Sequence, residues 1–292
     1  MMAERDHIRN PVEWTADQVK AAGLAVGSTG RALREHGELR DGALPTVRRI
    51  GVEDLRDALV KGLDDFLTYR TDVMFICIIY PLAGLVLAWS VLNYDFIPLL
   101  FPLASGFALL GPVAAVGLYE LSRRHEQGAE VGWADAFRVM ATPAFGEIVV
   151  LGLILLGIFL LWLVTAHTIY YATMGHEGVV SFGAFYHDVF TTSEGRSLIV
   201  VGVGVGFLFA LLVLMISVVS FPMLLDRDVG LYTAVATSVQ ACIVNPIPMA
   251  IWGLIVAGGL VLGSLPVLLG LIVVMPVLGH ATWHLYRKLV PR

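Results

Sequence analysis

His280 and His284 stand four residues apart near the C-terminus. On a helix that spacing puts both imidazoles on one face, where they could chelate one metal ion. The same pair suits a plainer role, capping the exposed carbonyls of a helix end and hydrogen-bonding to neighbouring helices. No HExxH glutamate and no cysteine partner accompanies them, so the capping role is the expectation. Glu120, Ser122, Arg123 and Arg124 form a second polar group, and Asp226, Arg227 and Asp228 a third. With His280 and His284 they could converge on a polar mouth or anion site. They also read as topology anchors and ion pairs at a membrane surface. Glu147 is an acid near an apolar run, where capping or snorkelling is favoured over proton transfer. His167, His176, Glu177, His187 and Asp188 crowd one loop at spacings that match no metal motif.

The elements that position these groups are apolar. Hydrophobic residues make up 57% of the 292-residue chain and charged residues 15%, against about 25% charged in soluble domains. Long apolar runs cover approximately residues 73–93, 96–118, 144–167, 199–223, 248–264 and 265–285, each near the roughly 20 residues a membrane-crossing helix needs. Of the 19 Lys and Arg, 18 lie before the first run, after the second, after the fourth or after the last, and only Arg196 falls in the other gaps. That asymmetry predicts an all-α, polytopic helix bundle of about six spans in hairpin pairs, in the cell inner membrane with both termini cytoplasmic. The last two runs are separated only by Gly263-Ser264-Leu265-Pro266, which predicts a tight hairpin or a shorter re-entrant pair.

Residues 1–47 read as a mostly disordered cytoplasmic tail. Residues 48–72 carry a helical stripe of Ile50, Val52, Leu55, Leu59, Leu63, Phe66 and Leu67. That stripe suits a juxtamembrane amphipathic helix on the cytoplasmic membrane face, or one packed on another part of the same chain. Residues 73–292 form the transmembrane domain. The loops after the second and fourth runs look like interfacial helices. Pro112, Pro222 and Pro276, each followed by a Leu-Tyr pair, suggest a threefold repeat of helical hairpins, with chance similarity among Leu-rich helices as the rival.

Gly202-Val203-Gly204-Val205-Gly206 superficially resembles a nucleotide loop, but it lacks a preceding strand and lies inside an apolar run. No cofactor is expected. Gly202 with Gly206, and Gly259 with Gly263, instead have the spacing for close helix–helix packing. Asn245-Pro246-Ile247-Pro248 breaks the helix entering the fifth run. Cys77 and Cys242 are not expected to form a disulfide. The net charge of −5 argues against nucleic acid.

Gly117–Arg124, Phe221–Arg227 with Thr237, Ser238, Asn245 and Pro246, and Gly279–Arg287 together resemble a bacterial family of predicted integral membrane proteins, the domain of unknown function 2189. The resemblance extends over roughly residues 48–290. It implies a membrane bundle without an established activity. Some members carry the label of putative cytochrome c oxidase, which implies at most a respiratory context. The chain departs from an oxidase catalytic subunit in having about half the spans and no midplane histidines for haem and copper. Three functions remain open: a non-enzymatic bundle that binds or passes a small solute or ion; an accessory or assembly subunit of a respiratory complex; and a metal-binding membrane enzyme. The expected partners are the lipid bilayer and either a membrane-protein partner or a second copy of the chain.

Overall fold

The computed structural model describes residues 44–69, 97–175 and 181–292, with isolated positions between 74 and 89. Most of the expected tail, most of the first expected span, and His176 and Glu177 lie outside the described residues. What is described is all-helical.

Helix α1 (Val52–Thr68) begins where the Asp54 carboxylate accepts the Gly51 N–H at 2.9 Å. Glu53 and Asp54 in its first turn suit the positive end of the helix dipole. Its buried face is Leu55, Ala58, Gly62, Asp65 and Phe66, packed against the last helix. The stripe expected from the large apolar residues is therefore divided. Leu55 and Phe66 turn inward, while Val52, Leu63 and Leu67 are exposed.

Short helices α2 (Leu100–Ala104) and α3 (Gly106–Ala114) form a pair bent by 44°, followed by α4 (Val116–Glu126). Ser105 sits at the bend, donating to the Pro102 carbonyl and accepting the Trp162 indole N–H at 2.8 Å. A 3-10 segment (Trp133–Ala141) then leads into α5 (Phe145–Met174). Helices α6 (Phe182–Thr191) and α7 (Ser193–Ser217) start on side-chain caps, Ser181 accepting from the Ala184 N–H and Thr192 from the Gly195 N–H. Helix α8 (Ser220–Asp226) prolongs α7. Helix α9 (Leu231–Val244) ends at Asn245, and Pro246 opens α10 (Pro246–Ser264), the position where a missing N–H costs nothing. Helix α11 (Leu271–Leu289) returns along α10. In the turn between them Val267 and Leu268 adopt left-handed φ values of 52° and 65°, a strained choice for residues with large side chains.

Three helical stretches are long and apolar enough to cross a bilayer: α5, the Ser193–Asp226 stretch of α7 and α8, and α10. The bent pair adds a fourth if it counts as one span. The described residues thus give three to four candidate spans in place of about six. Most of the first expected span falls outside them. The sixth coincides with α11, which fails on composition. Only its first half is apolar, and from Gly279 onward it carries His280, His284, Arg287 and Lys288.

Helix α11 is the hub of the densest packing. Helices α1 and α4 both lie against its second half, with α10 alongside. A Cβ on Gly62 would meet the Ala281 backbone nitrogen at 2.5 Å, and one on Gly279 would meet Leu118 Cδ1 at 2.6 Å. These two glycines let three helices cross where side chains would hold them apart. Of the three tyrosines in the suggested repeat, Tyr119 and Tyr286 are buried, whereas Tyr232 is exposed at the start of α9.

Candidate functional site

Asp65 is the centre of the polar end of the molecule. It sits on the buried face of α1 and is 4% exposed. Its Oδ2 accepts the Ser122 hydroxyl at 2.6 Å and faces His284 Nε2 at 2.9 Å. Its Oδ1 faces His125 Nδ1 at 2.8 Å. His280 Nδ1 is 2.7 Å from Ser122 Oγ and 3.9 Å from Asp65 Oδ2. Helices α1, α4 and α11 therefore each contribute to one knot. Burial pushes the Asp65 carboxyl up, but hydrogen bonds from His284 and Ser122 and the charge of the histidines outweigh it, holding the group at about 2.

His280 and His284 thus share a helix face, as their spacing requires, and they turn to Asp65 and to Ser122 of the second polar group, away from its charged residues and from Asp226. Glu120 is buried and takes Arg123 in a two-pronged pairing, Nε at 2.7 Å and Nη2 at 2.9 Å, with Arg124 Nε at 3.1 Å. Arg124 continues to Asp135, which also pairs with Arg138. Asp226 accepts the Tyr286 hydroxyl at 2.8 Å and pairs with Arg287 at 3.3 Å. Arg227 bonds the carbonyls of Val290 and Pro291. Arg287 also reaches Glu126, which accepts the Trp283 indole. The expected polar mouth is therefore three neighbouring networks, two of them ion-paired and one built on Asp65.

Asp65 and His125 escaped the sequence reading. Asp65 carries the one signal that could have found it: an acid in helical register with Leu55, Ala58 and Gly62. Asn245 looked like a helix breaker. In the fold its Oδ1 accepts the Ile50 N–H at 2.8 Å and its Nδ2 donates to the Arg48 carbonyl at 3.1 Å. It ties the strand-like lead into α1 to the start of α10.

Among the described residues no group of three or more His, Cys, Asp or Glu has the arrangement to hold a metal ion. Cys77 and Cys242 are both buried, and neither forms a disulfide among the described residues. Of the packing glycines, Gly206 lies against the Trp162 ring, where a Cβ would meet Cη2 at 3.1 Å, while Gly202 has nothing within 4 Å. Gly259 and Gly263 face Val274, Leu278 and Leu271 of α11. His167 stacks edge-on against Tyr171 at 4.5 Å, and the His187 carbonyl accepts from Thr191.

Between α3, α7, α10 and α11 lies an apolar groove of about 430 Å³. Small residues make the room, among them Gly111, Ala115, Ala210 and Gly253. Tyr119, Ser217 and Thr282 are its hydroxyl-bearing residues. The Ser217 hydroxyl is already bonded to the Val213 carbonyl and that of Thr282 to the Leu278 carbonyl.

No curated protein and no solved structure matches this chain. The bent pair, the α4 segment with Glu120 and Ser122, two candidate spans and Asp226 fall in a single stretch of sequence, and that stretch, residues 100–226, matches the family described as predicted integral membrane protein, the domain of unknown function 2189.

Proposed function

We propose that this integral membrane protein is a non-enzymatic bundle that binds a small, uncharged, largely apolar solute in the groove beside α10. The observation that carries the reading is the groove itself. At about 430 Å³ it falls within the usual range of small-molecule sites, roughly 300–1,000 Å³. No charged residue lines it, and a bare ion there would lose its hydration without a counter-charge. Two of its three hydroxyls are committed to helix carbonyls, which favours an apolar body over a polar one. Binding fits this groove better than ion passage.

The charge asymmetry supports the orientation. Arg123, Arg124, Arg138, Arg227, Arg287 and Lys288 all belong to the polar networks around α4 and α11, whereas Arg196 stands on α7 just after its first turn. We place that polar end, with both termini, in the cytoplasm of an inner-membrane protein. Reporter fusions at Gly128, Gly230 and Arg292 should score cytoplasmic and one at Gly178 extracytoplasmic; a cytoplasmic score at Gly178 would sink the orientation.

Ligand binding is tested on protein purified in a mild detergent and extracted for bound small molecules by mass spectrometry. Gly111 faces open space, with nothing within 4 Å of an added Cβ, so Gly111→Leu should fill the groove without displacing a neighbour. The expected result is an apolar molecule released from wild type and reduced at least tenfold in Gly111→Leu. Equal recovery from both proteins would refute the reading.

A further inference from the structure

The hydrogen-bond pattern at Asp65 fixes where the protons are. Ser122 has a single hydroxyl proton, and at 2.6 Å it goes to the Asp65 carboxylate, which has none to give. The 2.7 Å contact between Ser122 Oγ and His280 must then carry the proton of His280 Nδ1. His125 Nδ1–H and His284 Nε2–H complete the shell. That leaves His280 neutral, fully buried, with a bare Nε2 that has no partner. The carboxylate is satisfied with His280 uncharged.

The surrounding charges are already matched. On α1, Asp54 and Asp57 hold Lys288, and Tyr69 packs edge-on against His125. On α4, Glu120 holds Arg123 and Arg124, and Glu126 holds Arg287. Asp135 of the 3-10 segment holds Arg124 and Arg138, and Asp226 of α8 holds Arg287. Helix α10 brings no titratable side chain.

We propose that the Asp65 cluster is a proton-operated latch, and that charging the buried His280 under mildly acidic conditions releases α1 from α11. A proton on His280 creates an N–H at Nε2 in a place where that atom has no partner. Burial is the main force holding His280 down to about 4, with the like charges of His284 and His125 adding to it against the pull of Asp65. Its folded value thus lies below the ordinary value of about 6.5. Stability from a group depressed in this way is full above about 6.5 and falls as pH drops toward 4. Asp65 stays ionised through that window. Its own contribution, present above about 3.9, is lost only as pH falls through about 2. His280 therefore acts first. The release is two-state, because the backbones of α1 and α11 touch at Gly62 and Ala281 and leave no room for a gradual slide.

The experiment is hydrogen–deuterium exchange of the full chain in lipid nanodiscs from pH 7.5 to 5.0, corrected for the intrinsic exchange rate. Protection across Leu55–Phe66 should fall about tenfold by pH 5.5, the factor expected from one proton excluded between 6.5 and 4, while α5 holds its protection. His280→Gln keeps a donor for Ser122 but does not titrate, and it should abolish the acid step. If that variant does not fold, the wild-type series against α5 still decides. Gly62→Ala should wedge the helices apart and give acid-like exchange at pH 7.5. The latch is overturned by flat protection of α1 over the series, by joint loss from α1 and α5, by an acid step retained in His280→Gln, or by wild-type exchange in Gly62→Ala.

Discussion

The Ser193–Asp226 stretch and the second half of α11 solve opposite problems with helices of ordinary geometry. In the most apolar window of the first, only 6% of residues are buried inside the protein. Val200, Val203, Phe207 and Leu208 all face outward. In the second, His280, Ala281, Trp283, Leu285, Tyr286 and Leu289 are all at 0% exposure. The membrane helix needs no protein partner for its apolar face, because lipid tails are as apolar as its side chains. The end of α11 carries histidines, an indole and a phenol whose polar atoms must be satisfied, and only other protein groups can do that in a closed core. Polarity, more than hydrophobicity, decides where this bundle packs tightly.

The sharpest way to break that comparison is to remove the charge at the centre of the packed end. Asp65→Ala strands Ser122, His125 and His284 at once. Losing one partner of a buried charged cluster costs about 3–5 kcal/mol, and chemical denaturation in detergent should show a loss of that size. Asp65→Asn keeps an acceptor and should lose less. A loss below about 1 kcal/mol in Asp65→Ala would mean that α1 is held elsewhere.

How far the sequence carried depends on the same contrast. Hydropathy located α5, α7 and α10, since crossing a bilayer demands a long apolar run and little else. At α11 the apolar run is only Leu271–Leu278, and it leads straight into a helix whose polar groups are hidden by α1 and α4. The residues of the Asp65 cluster come from positions 65, 122, 125, 280 and 284, and local spacing links only 122 with 125 and 280 with 284. The buried face of α1 was legible only in part: Leu55 and Phe66 belong to the expected stripe, but the contact with α11 also uses Ala58 and Gly62. A search for large apolar residues also selects Val52, Leu63 and Leu67 on the outer side. Nor does a uniformly apolar helix reveal which side meets a neighbour, so Gly202 and Gly206 looked alike.

Asn245 tests whether polar satisfaction also governs the edge of the packed end. Asn245→Ala removes the acceptor for the Ile50 N–H and the donor for the Arg48 carbonyl. Leaving such groups unpaired costs about 1–3 kcal/mol. The same denaturation assay should give that loss, and exchange should rise at Ile50. Wild-type exchange at Ile50 would show that another group takes over.

Within the membrane the comparison is sharpened by two glycines on one helix. Gly206→Leu must displace the Trp162 ring and should cost about 1–3 kcal/mol by overpacking. Gly202→Leu projects into space with no protein atom within 4 Å and should be near neutral. Thermal stability in detergent separates them. Equal midpoints for both variants and wild type would mean that Trp162 and Gly206 are not in contact in the bilayer.

The smallest expected effect concerns metal. The inward nitrogens of the three histidines are committed, His284 Nε2 and His125 Nδ1 to Asp65 and His280 Nδ1 to Ser122. Glu120 and Asp226, the acids that sequence places nearest, are paired with Arg123, Arg124 and Arg287. A metal entering the cluster would have to break these bonds and displace protons from a closed site, while its remaining ligands would come from acids that already hold arginines. Purified protein should therefore carry substoichiometric zinc, iron and copper. His280→Ala and His284→Ala should alter stability without changing metal content. One metal per chain by elemental analysis, lost in both variants, would overturn the argument that this end of the molecule is closed by its own hydrogen bonds.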